Sequence, residues 1–103
     1  MKYNAAPAFV ADWARLSANE QDIFLRVIRE QFQPACERYA RDPATSWPRG
    51  LRIKRIQSMP GVWEMTWSFV GPDGRATFEW VEIDGQLAVR WRRISTHEIF
   101  GRP

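Results

Sequence analysis

The spacing of apolar residues changes once along the chain, from a helical period in the first half to a strand period in the second. Before residue 41, bulky apolar side chains recur every three or four positions: Phe9, Val10, Trp13, Leu16, Ile23, Phe24, Val27, Ile28, Phe32, Cys36 and Tyr39. This spacing predicts two helices. Pro7 suits the first turn of the first helix, and "SANE" from Ser17 to Glu20 is a capping box that opens the second. Pro34 is expected to kink the second helix, or to end it and start another turn.

From residue 51 onward, apolar and polar residues alternate, as they do in strands with one buried face. The bulky positions of the three clearest strands are Trp63, Met65, Trp67 and Phe69, then Phe78 and Trp80, then Leu87, Val89 and Trp91. The sequences "GPDG" at 71–74 and "DG" at 84–85 indicate the turns between them. The pattern predicts an α+β fold in which two N-terminal helices, over about 7–41, pack on one face of a small antiparallel β-sheet, over about 51–97.

The size and composition of the chain indicate a single domain over 1–103, because 103 residues with 45% apolar content suffice for one core. Cys36 has no cysteine partner within the chain, and its helical spacing suggests a small buried hydrophobe. One histidine and one cysteine make no metal-ligand cluster, so neither a metal nor a cofactor is expected. No apolar run approaches the roughly 20 residues of a membrane span, and the N-terminus lacks a secretory apolar region. We therefore expect a cytoplasmic protein with no membrane partner.

The net charge of +3 lies entirely in residues 49–103, which carry nine basic and six acidic residues, and most of the bases are arginine. Arginine suits phosphate and stacking contacts, so a nucleic acid or an acidic protein is a reasonable partner. The outer face of the predicted sheet mixes both signs: Glu64, Thr66, Ser68, Arg75, Thr77, Glu79, Arg90 and Arg92. Such a face is either a solvated surface with weak cross-strand ion pairs or a functional site.

The order of the segments resembles a known family. A helical hairpin is followed by "LRIKRI", "GVWEMTWSF", a turn, "GRATFEW" and a final strand ending in "WRRISTHEIF". This order is similar to that of the RelE/ParE toxin superfamily of bacterial toxin-antitoxin systems, and above all to RelE-type messenger-RNA ribonucleases, over nearly the whole chain from about Phe9. The resemblance implies an α+β toxin that cuts messenger RNA in the ribosomal decoding site without a metal. It also implies a cognate antitoxin that binds through an acidic or amphipathic segment and forms a hetero-oligomer with the toxin.

The resemblance assigns roles to individual residues. Arg75 matches the arginine that opens the equivalent strand and contacts the scissile phosphate, and Lys54 falls in the basic segment where family members hold the RNA backbone. His97 stands where members place a basic or histidine residue at the end of the last strand. Glu64 departs from the family, since well-studied RelE proteins carry lysines on this strand, but other branches use a glutamate and a histidine together.

These residue types suit cleavage by the 2′-hydroxyl of the RNA itself, which needs a base, cations for the phosphorane and an acid for the leaving oxygen. The predicted catalytic residues are Arg75, His97, Glu64 and Lys54, with Glu64 acting as the base or only orienting an arginine. The predicted RNA-binding residues are Arg52, Arg55, Arg90, Arg92, Arg93 and Phe100. The direction of Arg93 depends on whether a bulge shifts the last strand, and Phe100 is either a stacking platform for a base or part of the core.

Two other functions remain open from the sequence. Gyrase-directed members of the superfamily share the fold, although they tend not to keep the basic and histidine residues together. A non-catalytic RNA-binding or protein-binding module would be served equally well by the charge and the aromatic strands. Loss of cleavage without loss of binding, on changing His97 or Arg75 to alanine, would distinguish an endoribonuclease from either alternative.

Overall fold

The computed structural model of the chain describes residues 1–68, 73–96 and 103 and confirms an α+β fold. Its elements are β1 (Lys2–Ala5), α1 (Pro7–Ala14), α2 (Ala18–Val27), a π-helical segment (Ile28–Phe32), α3 (Gln33–Arg41), a short 3-10 helix (Arg49–Leu51), β2 (Lys54–Arg55), β3 (Val62–Ser68), β4 (Gly74–Ile83) and β5 (Gln86–Ser95). Within these described ranges, every helix is too short or too polar to span a membrane.

The five strands form one sheet in the order β1-β5-β4-β3-β2, and this sheet is mixed rather than purely antiparallel. Strands β2 to β5 pair antiparallel as predicted, whereas β1 lies parallel to β5, with Lys2 opposite Ala88 and Ala5 opposite Trp91. No pattern in the sequence indicates β1, because the strand has four residues, of which only Tyr3 is half-buried and the rest are exposed. Pairing with β5, rather than an alternating pattern, makes this segment a strand.

The N-terminus of α2 is fixed by the predicted capping box. The Ser17 hydroxyl accepts a hydrogen bond of 3.1 Å from the main-chain N–H of Glu20, and the Glu20 carboxylate accepts one of 2.7 Å from the N–H of Ser17. Each bond satisfies a main-chain donor that the helix itself leaves unpaired. The break between α1 and α2 therefore falls where the sequence predicts it.

Pro34 alters the long second helix without ending it. A proline inside a helix donates no hydrogen bond and its ring crowds the carbonyl of the residue four positions earlier, which here is Glu30. The chain widens to a π-helical segment at Ile28–Phe32 and returns to α-helix at Gln33. This wider turn relieves the crowding and keeps α2 and α3 on the same side of the sheet.

The core lies between the helices and one face of the sheet. Phe24 packs edge-on against Trp91 with ring centroids 5.2 Å apart, and Phe32 packs edge-on against Phe78 at 5.1 Å. Trp67 is also fully buried. Burial raises the pKa of the Cys36 thiol well above its usual range, in keeping with its predicted place as a small core residue. Because the aromatic residues fill the helix side, the polar residues of the same strands occupy the outer face.

Candidate functional site on the outer face of the sheet

The strand register places the predicted catalytic residues on adjacent strands. Lys54 of β2 lies opposite Glu64 of β3, Glu64 lies opposite Thr77 of β4, and Thr66 lies opposite Arg75. Alternation along each strand turns these side chains away from the tryptophans of the core. Glu64 and Arg75 are consequently diagonal neighbours across β3 and β4, within reach of each other.

A chain of alternating charges runs through this part of the face. Arg75 Nε is 3.4 Å from Glu64 Oε1, and Lys54 Nζ is 3.7 Å from the same oxygen. Arg75 Nη1 lies 3.7 Å from Asp73 Oδ2, and Arg52 Nη1 donates a hydrogen bond of 3.1 Å to that oxygen. The structure thus brings together Lys54, Glu64 and Arg75, three of the four residues predicted to be catalytic.

Asp73 is a member of this cluster that the sequence did not single out. It belongs to the "GPDG" turn, of which 71 and 72 lie outside the described residues, and it precedes Arg75 by two positions. A turn aspartate is ordinarily explained by the conformation of the turn alone. Its contacts with Arg52 and Arg75 show that it also holds two guanidinium groups at the edge of the site.

The guanidinium of Arg75 is held in a nearly buried position. Only 12% of its side chain is exposed, against 69% for Lys54. The buried Nη1 atom has no hydrogen-bond acceptor within the described part of the chain, since the Asp73 carboxylate is too distant to accept from it. A phosphate oxygen is the kind of acceptor that such a group binds well, often with two parallel bonds.

Arg52 has an uncommon backbone conformation. It ends the 3-10 helix Arg49–Leu51 with φ 47° and ψ 44°, the left-handed region that is seldom used by residues other than glycine, asparagine and aspartate. The conformation places its exposed side chain beside Asp73. Strained backbone of this kind is often found at functional sites.

A second cluster of charges lies beside the first, on β4 and β5. Glu79 Oε2 accepts a hydrogen bond of 2.8 Å from Arg92 Nη1, and Glu79 Oε1 is 3.9 Å from Arg90 Nε. Both arginines border a groove of about 380 Å³ that is also lined by Met59 and Pro103. Since Glu79 lies opposite Val62, two positions from the Thr77–Glu64 pair, this groove adjoins the candidate site.

A bulge in β5 places Arg93 on the same side of the sheet as Thr77, where it lines the groove together with Arg90 and Arg92. Trp91 pairs with Phe78 and Arg93 pairs with Thr77, so Arg92 is the extra residue in β5. Arg93 Nε and Nη2 donate hydrogen bonds of 2.6 and 3.0 Å to the Asp12 carboxylate on α1. Its guanidinium thus joins helix α1 to the sheet, and its predicted part in RNA binding remains a prediction.

Lys54 and Arg55, the two residues of β2, point to opposite faces of the sheet. Lys54 lies on the outer face beside Glu64, whereas Arg55 pairs with Trp63 in the register and its guanidinium carbon stands 4.9 Å from the centre of the Trp63 ring. Arg55 thus forms a cation–π contact on the helix side of the sheet. The basic segment predicted as one RNA contact is divided between two surfaces.

His97 and Phe100 lie outside the described residues. Their predicted roles, as an acid or base and as a stacking platform, remain predictions.

Comparison with solved structures identifies the fold. The YoeB/ParE toxin from Agrobacterium tumefaciens superposes with a TM-score of 0.60 at 15% sequence identity, over 95% of this chain and 100% of that chain. RelE in the intact E. coli RelBE toxin-antitoxin complex superposes with a TM-score of 0.52 at 10% identity, over 95% and 98%. The isolated E. coli RelE toxin gives 0.52 at 10% identity, over 97% and 87%.

The chain has the fold of the RelE/ParE-like toxin superfamily, as the order of its segments predicted. The likeness is one of structure, because no protein-family model matches the sequence and no curated protein matches it significantly. Nearly full coverage of both chains means that the elements which carry the candidate site are part of the shared architecture.

Proposed function

We propose that this protein is a RelE-like toxin of a toxin-antitoxin system, a metal-independent endoribonuclease that cleaves messenger RNA on the ribosome and so inhibits translation. The observation that carries the proposal is the convergence of Lys54 and Arg75 on Glu64, within 3.7 Å, on the outer sheet face of a RelE-like fold. A base flanked by two cations is the set that cleavage by a 2′-hydroxyl requires.

In the proposed reaction the Glu64 carboxylate accepts the proton of the 2′-hydroxyl while the 2′-oxygen attacks the adjacent phosphorus. Arg75 and Lys54 stabilise the added negative charge of the phosphorane. The bond to the 5′-oxygen then breaks, and this oxygen takes a proton from a general acid, for which His97 is the proposed donor. The products are a 2′,3′-cyclic phosphate and a 5′-hydroxyl end.

The ion pairs of the site without RNA are compatible with this chemistry. Lys54 is largely exposed, and a salt bridge of this kind contributes less than about 1 kcal/mol. A phosphate can therefore draw Lys54 away from Glu64 at little cost. Arg75 is held on both sides by acids, which fixes the direction of its guanidinium before the RNA binds.

Arg52, Arg90 and Arg92 are the proposed contacts for RNA on either side of the cut. Each is now engaged by an acid, Arg52 by Asp73 and the other two by Glu79. When RNA binds, a phosphate takes the place of the carboxylate beside each arginine, so the positive charge of the arginine stays neutralised. The groove beside Glu79 gives the strand a path across β4 and β5.

An antitoxin is the proposed protein partner, since RelE has been solved in complex with one. An acidic or amphipathic segment of the antitoxin would fit either of two surfaces of this chain. One is the basic outer face. The other is an apolar groove of about 300 Å³ between β1, α1 and α2, at which Val10 and Leu25 are largely exposed.

The test is translation in vitro with mapping of messenger-RNA ends, with and without ribosomes. The wild-type chain should produce discrete cuts with 2′,3′-cyclic phosphate ends, and Arg75→Gln should abolish them. Arg26→Gln is the matched control, because it removes one exposed arginine from α2, outside the proposed site. Circular dichroism must show that both variants are folded.

The alternative functions give different results in the same series. Intact message combined with blocked supercoiling by DNA gyrase would establish the gyrase-directed alternative. RNA bound tightly but never cut would establish a non-catalytic binding module. Either outcome overturns the proposal.

A further inference from the structure

Positive charge is concentrated in one segment of the chain. Residues 38–55 carry six basic residues and one acidic residue, a net charge of +5, although the whole chain carries only +3. The segment comprises the end of α3, the loop that follows, the 3-10 helix and β2. Two of its bases, Arg52 and Lys54, belong to the candidate site, but Arg38, Arg41, Arg49 and Arg55 do not.

A cluster of four aromatic rings in mutual contact fixes this segment to the sheet. Tyr39 stacks on Trp47 with centroids 5.1 Å apart and on Trp80 at 5.0 Å, and Trp47 meets Trp63 edge-on at 6.1 Å. The rings come from α3, the following loop, β3 and β4, and all are half-buried. The loop is thereby anchored at Trp47, so the groups it carries have defined positions.

The remaining arginines lie close to these aromatic residues along the chain or, for Arg55, in contact with one of them. Arg38 and Arg41 flank Tyr39 in the last turn of α3, Arg49 follows Trp47 by two residues, and Arg55 lies over Trp63. All four are exposed, and none of them forms an ion pair within the ranges that the structure describes. By contrast, each basic side chain of the candidate site is engaged by an acid.

Strand β2 joins the two basic surfaces. It is the edge strand of the sheet and has two residues, with Lys54 on the outer face and Arg55 on the helix side. A polyanion that contacts Lys54 needs only to pass around this short edge to reach Arg55 and the arginines beyond it. Basic side chains therefore lie on both faces of the sheet at the β2 edge.

We propose that Arg38, Arg41, Arg49 and Arg55, with the aromatic cluster, form a second RNA-binding surface that holds the phosphate backbone of structured RNA away from the cleavage site. The proposal deepens the proposed function and rests on it for the choice of RNA as substrate. Exposed arginines beside half-buried aromatic rings suit phosphates and unpaired bases alike. An acidic protein is the less suitable occupant, because protein interfaces need an apolar centre and these rings are packed on one another.

The experiment measures binding rather than cleavage, by fluorescence anisotropy with a short fluorescein-labelled RNA hairpin. The test variant is Arg38→Gln/Arg41→Gln. The matched control is Arg26→Gln/Arg29→Gln, which removes two exposed arginines with the same three-residue spacing from α2 and the π-helical segment. Both variants lose the same charge and leave Lys54, Glu64 and Arg75 intact.

The test variant should bind the hairpin about tenfold more weakly than the wild type, while the control changes by less than about twofold. Between about 50 and 200 mM salt, the slope of log affinity against log salt should fall by about one to two in the test variant, because each phosphate contact contributes about 0.9. Equal weakening of both variants would show that only overall charge matters and would overturn the inference. So would a polyglutamate peptide that binds this surface when the hairpin does not.

The two proposals can fail separately. If the end-mapping experiment shows no cleavage but the hairpin result is as expected, the endoribonuclease proposal falls and the RNA-binding surface stands. If cleavage depends on Arg75 but Arg38→Gln/Arg41→Gln binds the hairpin as the wild type does, the surface is overturned and the cleavage site stands.

Discussion

Asp12 and Arg93 join helix α1 to the end of strand β5 by two hydrogen bonds of 2.6 and 3.0 Å. The same carboxylate accepts a third, of 3.2 Å, from the main-chain N–H of Ile94. Strand β1 pairs with β5 only as far as Trp91, so Asp12 supplies an acceptor where β1 no longer does. The Asp12 side chain thereby continues the hydrogen bonding of β5 beyond the end of β1.

We predict that Asp12→Ala lowers the free energy of unfolding by about 3 kcal/mol, because it removes a charged acceptor from a half-buried guanidinium and from a main-chain N–H. Urea denaturation followed by tryptophan fluorescence measures the loss. Arg15→Gln is the control, because Arg15 contacts the same carboxylate at 3.5 Å from a mostly exposed position. This substitution should lower the free energy of unfolding by less than about 0.5 kcal/mol. A loss in Asp12→Ala no larger than in the control would contradict a structural role for the pair.

The stabilisation by Asp12 should depend on pH. Burial alone would raise the pKa of Asp12, but the hydrogen bonds from Arg93 and Ile94 and the charges of Arg93 and Arg15 outweigh it, so the pKa lies below its usual value. The carboxylate therefore stabilises the folded state fully above the unfolded pKa of about 3.9, and the stabilisation is lost as the pH falls through the lower folded pKa. The difference in unfolding free energy between wild type and Asp12→Asn should be constant near neutral pH and shrink in acid. A difference that grows on acidification would contradict this assignment.

Gly74 should tolerate no side chain. A Cβ atom at this position would lie 2.5 Å from Cε2 of the buried Trp67 ring, a contact that neither the strand nor the packed indole can accommodate. Gly74→Ala should therefore lower the unfolding free energy by about 1 to 3 kcal/mol, as overpacking of a core does. Gly50→Ala is the matched control, because no atom lies within 4 Å of its Cβ position. Thermal unfolding should separate the two variants clearly.

Glu64→Gln should distinguish a catalytic base from a residue that only orients arginines. The amide keeps the shape of the side chain but accepts protons poorly, so we expect the cleavage rate to fall by about 10² to 10⁴, with RNA affinity unchanged or higher. Glu79→Gln, beside Arg90 and Arg92, is the control and should keep most of the rate. If Glu64→Gln cleaves at the wild-type rate, the base is another residue.

Local patterns in the sequence predicted much of the fold. The capping box at Ser17 and the Asp84–Gly85 hairpin, whose two residues both have positive φ, are determined by neighbouring residues and were found correctly. The parallel strand β1 and the Asp12–Arg93 contact were missed, because each joins segments more than 80 residues apart and neither leaves a periodic pattern. Long-range pairing is a property of the assembled sheet.

The residues of the candidate site likewise divide into those that a local pattern places correctly and those that it does not. Glu64 and Arg75 could be placed on one face from alternation within two long strands, and the structure brings them together. Lys54 and Arg55 could not be separated, because a two-residue strand has too little alternation to reveal its faces. The sequence could not decide whether β5 contains a bulge at Arg92, because an extra residue in one strand can be recognised only when its pairing with the neighbouring strand is known.

The parallel edge strand also has a consequence for the order of folding. Lys2–Ala5 leaves the ribosome before its pairing partners in β5, which are made more than 80 residues later. The hairpins of β3, β4 and β5 are joined by short connections and can form early, whereas β1 has to close a loop of more than 80 residues. Strand β1 is thus synthesised well before it can become ordered, and a nascent chain completes this sheet only after β5 has emerged.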